Sequence, residues 1–235
     1  MGCYTMFQNC ARAPNKEVVQ TVALGCAVRL IKAWSQMMNG SFAALLLAGG
    51  KSQRMGRDKA LLEWQGQPLW RVQLAKLRAL KPERLLIACR AEQRLGDDSD
   101  IEWLFDPPSD ESGPMGAICR ALNTVQMPLL VLAVDMPQMT TDFLRTHLLF
   151  AADRETGLFI ATERGPEPMA AIYAPLMLEG LTRCVDKGRL SLQRFVSECT
   201  EGELARMRPP WPGATCFFSN ANTPTDWRHE KDRSD

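Results

Sequence analysis

Two acids, a lysine and a pair of glycines carry the chemistry that this sequence can perform. Gly49 and Gly50 follow an apolar run and open a polar, cationic stretch with Lys51, Ser52, Arg54, Gly56 and Arg57, which leads into Asp58 and Lys59. A strand that feeds such a loop presents backbone N–H groups and positive charge to a phosphate. Paired glycines also let the chain take positive φ and let a ligand approach the main chain closely. Asp135 closes the most hydrophobic run, residues 129–134, where a carboxylate is costly unless a cleft solvates it or it binds a cation. Mg2+ usually takes one or two protein carboxylates together with substrate phosphates and water. Asp106 ends another apolar run and, read as the end of a neighbouring strand, is expected to reach the same cleft. Together these residues describe a Mg2+–nucleotide site for substitution at phosphorus, helped by positioning and charge neutralisation.

Taken singly, each of these residues has an ordinary reading. Gly-Gly commonly ends strands, and Asp135-Met136-Pro137 and Asp106-Pro107-Pro108 are turn formers. Lys59 reads as a solvated charge, His147 as an ordinary helix residue, and Asn220 and Asn222 as turn residues. Their joint placement at one end of one sheet carries the argument. Two familiar nucleotide motifs are excluded. GGKSQRMG is neither GxxxxGK followed by Ser or Thr, nor GxGxxG, and no acid ends the run at residues 84–88, where Cys89-Arg90 follows.

The elements that must position these residues alternate along the chain. Residues 42–47, 84–88 and 129–134 read as buried strands, with shorter ones at 61–64 and 101–105 and a turn at 66–68. Residues 69–80 read as an amphipathic helix with Leu69, Val72, Leu77 and Leu80 on one face, which Gln73 and Lys76 blur. Further helices are expected at residues 117–124 and from the Thr140 cap through residue 149. This alternation argues for an α/β fold: a three-layer, mostly parallel Rossmann-like sheet with helices on both faces. Ligands of such sheets bind beyond the carboxyl ends of the strands, where Gly49, Asp106 and Asp135 fall. The second half is expected to add strands at 158–162 and 169–174, helices at 176–185 and 191–199, and a last strand at 214–218.

The length of 235 residues suits one α/β domain with an appendage. The division is expected to fall as an N-terminal extension over residues 1–41 and a single domain over residues 42–230. Residues 18–38 carry a helical stripe, and the extension is given no catalytic role. No run reaches the ~18–20 apolar residues of a membrane span. The net charge of +1 supplies no global field for nucleic acid. Neither a membrane nor a nucleic acid is therefore expected as partner. The eight cysteines are scattered without a CxxC pair, as in a reduced, cytoplasmic protein.

Residues 45–70, LLLAGGKSQRMGRDKALLEWQGQPLW, closely resemble the opening of molybdenum cofactor guanylyltransferases, within the wider nucleotidyltransferases that include sugar-nucleotide pyrophosphorylases. GPMG at 113–116 and VDMP at 134–137 also match, and EPMAAIY (167–173), DKGRLSLQRF (186–195) and NANTPTDW (220–227) match more weakly. The resemblance implies a fold of the nucleotide-diphospho-sugar transferase type. It implies transfer of GMP from GTP to the terminal phosphate of molybdenum-molybdopterin, with release of pyrophosphate. By the same resemblance Leu47, Ala48 and Gly49 contact the guanine and ribose side, Lys59 and Arg54 the phosphates, Asp106 the nucleotide, and Asp135 the Mg2+. Lys59, Arg54 and Asp135 would then carry catalysis, with molybdopterin-synthesis proteins and acceptor molybdoenzymes as protein partners. Ala48-Gly49-Gly50, rather than the Ala-Ala-Gly associated with cytidylyl transfer, favours guanine. Cys89 stands where the family commonly places Asn, and a thiol cannot reproduce the two-way hydrogen bonding of an amide. Rearranged or weaker base contacts are expected from it. Cytidylyl or sugar-phosphate transfer is the first alternative, and a non-catalytic nucleotide-binding relative acting in cofactor delivery is the second.

Overall fold

Residues 43–47 are apolar at every position, and in the computed structural model they form β1 (Ala43–Leu47), buried throughout. The structure describes residues 41–50, 57–96, 98–108, 111–153, 155–209 and 214–219. The expected extension (apart from Ser41), Arg54 and the residues at 220–227 lie outside the described residues.

A strand apolar on both faces belongs inside a parallel sheet. β1 is flanked on either side by a parallel neighbour, β4 (Arg84–Cys89) and β6 (Leu129–Ala133). Between β1 and β4 the chain makes a small antiparallel hairpin, β2 (Glu63–Trp64) with β3 (Gln67–Pro68), outside the main sheet. β5 (Glu102–Phe105) extends the sheet beyond β4, and β7 (Gly157–Thr162), β8 (Gly165–Tyr173) and β9 (Ala205–Arg208) extend it beyond β6. The order is β5-β4-β1-β6-β8-β7-β9, and β8 alone runs against the rest. The mostly parallel α/β expectation is met.

The period-2 alternation of β1 divides the core into two layers. Ala44 and Leu46 share a cluster with Leu69, Trp70, Leu74 and Leu77 of α1 (Leu69–Arg78) and with Phe143 of the short α3 (Thr141–Phe143). Ala43, Leu45 and Leu47 share the opposite cluster with Met115, Ile118 and Leu122 of α2 (Gly113–Val125). Leu181 of α4 (Leu178–Asp186) and Phe195 of α5 (Leu192–Glu201) complete that second layer.

Two expectations are corrected. Residues 214–218 form a 3-10 helix, and the final strand is β9, whose sequence Ala-Arg-Met-Arg carries little apolar signal. Phe217 and Phe218 both reach the ring of Phe143, with centroids 4.7 and 5.4 Å away. Successive side chains meet one ring from a helical turn, whereas a strand sends them to opposite faces. The strand that ends at Asp106 is also not a neighbour of the one that ends at Asp135. β4 and β1 lie between β5 and β6, so the two strand ends are three spacings, or about 14 Å, apart.

Candidate functional site

The chain leaves β1 still tethered to the sheet. The N–H groups of Ala48 and Gly49 both donate to the Ala88 carbonyl, at 2.9 and 3.0 Å. The Ala48 carbonyl accepts from Nε2 of Gln93 at 2.9 Å, and Gln93 is itself fixed by accepting from the Arg90 N–H through Oε1 at 2.7 Å. Gly50 follows at φ 121, a conformation open to glycine and strained for other residues.

Gly49 is needed for a different reason. A Cβ on it would stand 2.7 Å from Oδ2 of Asp106, inside contact distance. Asp106 thus spans the gap left by the strand order, its N–H bonded to the Cys89 carbonyl at 2.9 Å and its carboxylate lying against the end of β1. Its Oδ1 accepts from Nη2 of Arg120, on α2, at 2.6 Å.

Lys59 opens a 3-10 turn (Lys59–Leu61) that Asp58 caps by accepting from the Ala60 N–H at 3.0 Å. The other Asp58 oxygen accepts from Arg90 at 2.8 Å, which ties this turn to the end of β4. From there Lys59 donates Nζ to Oδ2 of Asp135 at 3.0 Å. Asp135 follows β6 after Val134, whose N–H still bonds to the Leu47 carbonyl at 3.0 Å. Beneath this loop, Gln73 and Lys76 of α1 donate to the carbonyls of Val134, Met136 and Pro137. Burial lowers the Lys76 ammonium from the ordinary 10.5 to about 8.

These residues enclose a cleft of about 250 Å³ at the carboxyl ends of the strands. Leu47, Ala48, Gly49, Lys59, Asp106 and Asp135 all line it, with Gly50, Ala88, Gly113, Pro114, Ala117, Ala133, Val134 and Met169. Every described member of the expected site is therefore brought to one place. Met169 comes from β8, where the pairing with β7 shifts register between Leu158 and Ile160. Such irregularities re-aim side chains. Here the segment is pinned by the Tyr173 hydroxyl donating to the Pro168 carbonyl at 3.0 Å, and by the Met169 N–H donating to Glu167 at 2.9 Å. Burial and the negative charge of Asp135 raise the Glu167 carboxyl above its usual range.

Cys89 does not line the cleft. It is 1% exposed and belongs to the α1-side cluster with Leu46, Ile87 and Leu132, while its neighbour Ala88 faces the cleft. Burial pushes its thiol up to about 11. Arg120 and Gln93 were not anticipated from sequence, because an isolated charge or amide has no periodic signature, and Glu167 was flagged only as the first residue of the weaker EPMAAIY match. Gln73 and Lys76 did leave one, as the polar interruptions of an otherwise apolar helix face.

The donor set suits Mg2+ in one specific way. Asp135 offers a single, partly exposed carboxylate beside Lys59, and among the described residues no three His, Cys, Asp or Glu side chains gather into a cage. That fits an ion which draws its remaining ligands from substrate phosphates and water.

Comparison with known proteins identifies the family. The family model described as the MobA-like NTP transferase domain matches residues 44–203. A probable molybdenum cofactor guanylyltransferase of Opitutus terrae is 35% identical over 195 residues, covering 81% of this chain and 95% of that protein. One of Synechococcus elongatus is 30% identical over 195 residues, covering 80% and 97%. Among solved structures, molybdopterin-guanine dinucleotide biosynthesis protein A of Archaeoglobus fulgidus superposes with a TM-score of 0.64 at 21% identity, covering 82% of this chain and 98% of that one. The last likeness speaks for the fold.

Proposed function

The chain belongs to the MobA-like NTP transferase family, and from that premise we propose that it transfers GMP from GTP to the terminal phosphate of molybdenum-molybdopterin, releasing pyrophosphate. On this reading residues 42–230 act as one nucleotidyltransferase domain in the cytoplasm, and the product serves acceptor molybdoenzymes. The observation that carries the proposal is the gathering of the β1 end, Lys59, Asp106 and Asp135 around one cleft. The names of the Opitutus and Synechococcus relatives support the choice of donor and acceptor.

The apolar floor of Leu47, Ala48, Ala88, Ala133 and Met169 excludes water from the nucleoside side. Asp106, its charge balanced by Arg120, accepts hydrogen bonds from the nucleoside without adding net repulsion toward the triphosphate. Asp135 would hold Mg2+, whose contribution is to neutralise the phosphates that flank the reacting phosphorus. Lys59 exchanges Asp135 for a phosphate oxygen when the nucleotide enters, bringing its charge to the departing pyrophosphate. The acceptor phosphate is already an anion, so a P–O bond forms at the α-phosphorus as the bond to pyrophosphate breaks, with no proton to remove. The task of the protein is to hold two anions together, which suits preorganised positive charge.

The test is incubation with Mg2+, molybdenum-loaded molybdopterin and either GTP or CTP, followed by detection of the dinucleotide and of pyrophosphate. Product from GTP is expected, lost in Asp135→Ala with the fold retained and unchanged on removal of residues 1–36. A preference for CTP would assign the chain to cytidylyl transfer. Nucleotide binding without turnover would assign it to cofactor delivery.

A further inference from the structure

Two side chains of α1, one turn apart, grip the loop that carries Asp135. Gln73 has no exposed surface and donates Nε2 to the carbonyl of Met136 at 2.6 Å and, more weakly, to that of Val134 at 3.3 Å. Lys76 donates Nζ to the Pro137 carbonyl at 2.7 Å. The three acceptors bracket Asp135 on both sides, just where β6 has ended at Ala133. The same helix is bonded at its start to the segment after Lys59, through the Leu69 N–H to the Leu62 carbonyl at 2.8 Å. One element therefore sets the backbone behind both members of the Lys59–Asp135 pair.

Packing does not explain a glutamine at position 73. Its Oε1 is buried with no hydrogen-bond partner among the described residues, and an unsatisfied buried acceptor costs stability. Leu69, Trp70, Leu74 and Leu77 around it are all core, so what the amide adds at this position is its bonds to the two carbonyls. We propose that Gln73 is a positioning residue: with Lys76 it fixes the carbonyls on either side of Asp135 and so orients that carboxylate toward the divalent cation of the bound nucleotide. The inference rests on the reading of Asp135 as the metal-holding residue. Residues that hold a metal ligand in its orientation without touching the metal commonly govern metal affinity in this way.

Gln73→Met separates positioning from packing, because it keeps an unbranched side chain of similar length and removes the unpaired oxygen. GTP affinity is measured with and without Mg2+ on the wild type, Asp135→Ala and Gln73→Met, alongside the melting temperature of each. In the wild type Mg2+ tightens GTP binding, and Asp135→Ala abolishes that gain. In Gln73→Met the gain falls by about 10-fold, with GTP binding in the absence of Mg2+ unchanged and a cooperative melting curve showing the fold retained. A full Mg2+ gain in Gln73→Met overturns the positioning role while leaving the metal assignment intact. No Mg2+ gain in the wild type overturns the metal assignment itself, and the positioning role with it. If Gln73→Met does not fold, Lys76→Met, which removes the outer arm of the grip, takes its place in the same comparison.

Discussion

Arg120 holds Oδ1 of Asp106 at 2.6 Å while the other oxygen of that carboxylate rests against Gly49. The acid is thereby aimed and neutralised at once. The second acid of the cleft is treated alike, with Lys59 3.0 Å from Asp135. The cleft thus keeps two carboxylates without presenting two uncompensated negative charges. Each pair has a cation on a different element from its acid, so the balance depends on the fold and not on local sequence.

Gly49→Ala tests the aim. The added methyl meets Asp106 Oδ2 at 2.7 Å, so the carboxylate must shift from the position in which Arg120 holds it. The KM for GTP is expected to rise about 10-fold, or ~1.4 kcal/mol of binding, with CTP affected less. An unchanged GTP KM in steady-state assays would show that Asp106 takes no part in donor binding.

Lys59→Met tests the neutralisation. Loss of a preorganised cation at a developing charge is expected to lower kcat about 10²- to 10³-fold. Removal of one partner of a mostly buried pair should also lower stability by about 1 kcal/mol, at the upper end for exposed pairs. Kinetics together with a melting curve separate these effects, and full activity with reduced stability would make the pair purely structural.

Cys89→Asn addresses the departure from the family pattern. Because the thiol sits 1% exposed in the α1-side cluster, an amide there is buried rather than offered to a base. The variant is expected to lose about 1–3 kcal/mol of stability with GTP affinity unchanged. Improved GTP binding would place position 89 in base recognition after all.

Lys76 predicts an alkaline signature. Its folded-state value of about 8 lies below the ordinary 10.5, so between those values the unfolded chain binds the extra proton. Stability contributed by this group therefore rises with pH across that window, by up to about 3 kcal/mol, and the cost of burying the ammonium is fully felt below it. Urea unfolding at several pH values should show this slope in the wild type and a flatter line in Lys76→Met. Equal slopes would mean that Lys76 keeps its proton throughout.

Much of the architecture was legible in sequence because its signals are local. Residues 43–47 and 129–133 are apolar at every position, and the glycines and acids that follow them announce strand ends. The order of the strands was not legible, since nothing in the spacing of Asp106 and Asp135 tells that β4 and β1 come between them. β9 was hidden for a related reason: only Ala205 and Met207 turn to the core, too short an alternation to stand out beside two arginines. Ala214–Phe218 misled in the opposite sense, its apolar residues serving Phe143 from a helical turn. At the site, residues that touch the cleft stood out by type and motif, whereas Arg120 and Gln93 act through one other residue and leave no pattern. Gln73 and Lys76 were visible only as a flaw in the apolar face of α1, and the flaw is where that helix meets the Asp135 loop.

The central place of β1 also orders events during synthesis. Its partners are β4 and β6, with Leu45 in register with Leu86 on one side and Val131 on the other. A nascent chain that has not yet reached Leu129 holds a wholly apolar strand with one edge open, the kind of edge that recruits other chains. Fragments that stop short of Leu129 are therefore expected to aggregate or to be retained by chaperones, and β1, though among the first parts of the domain to be made, gains its second neighbour only once β6 has arrived.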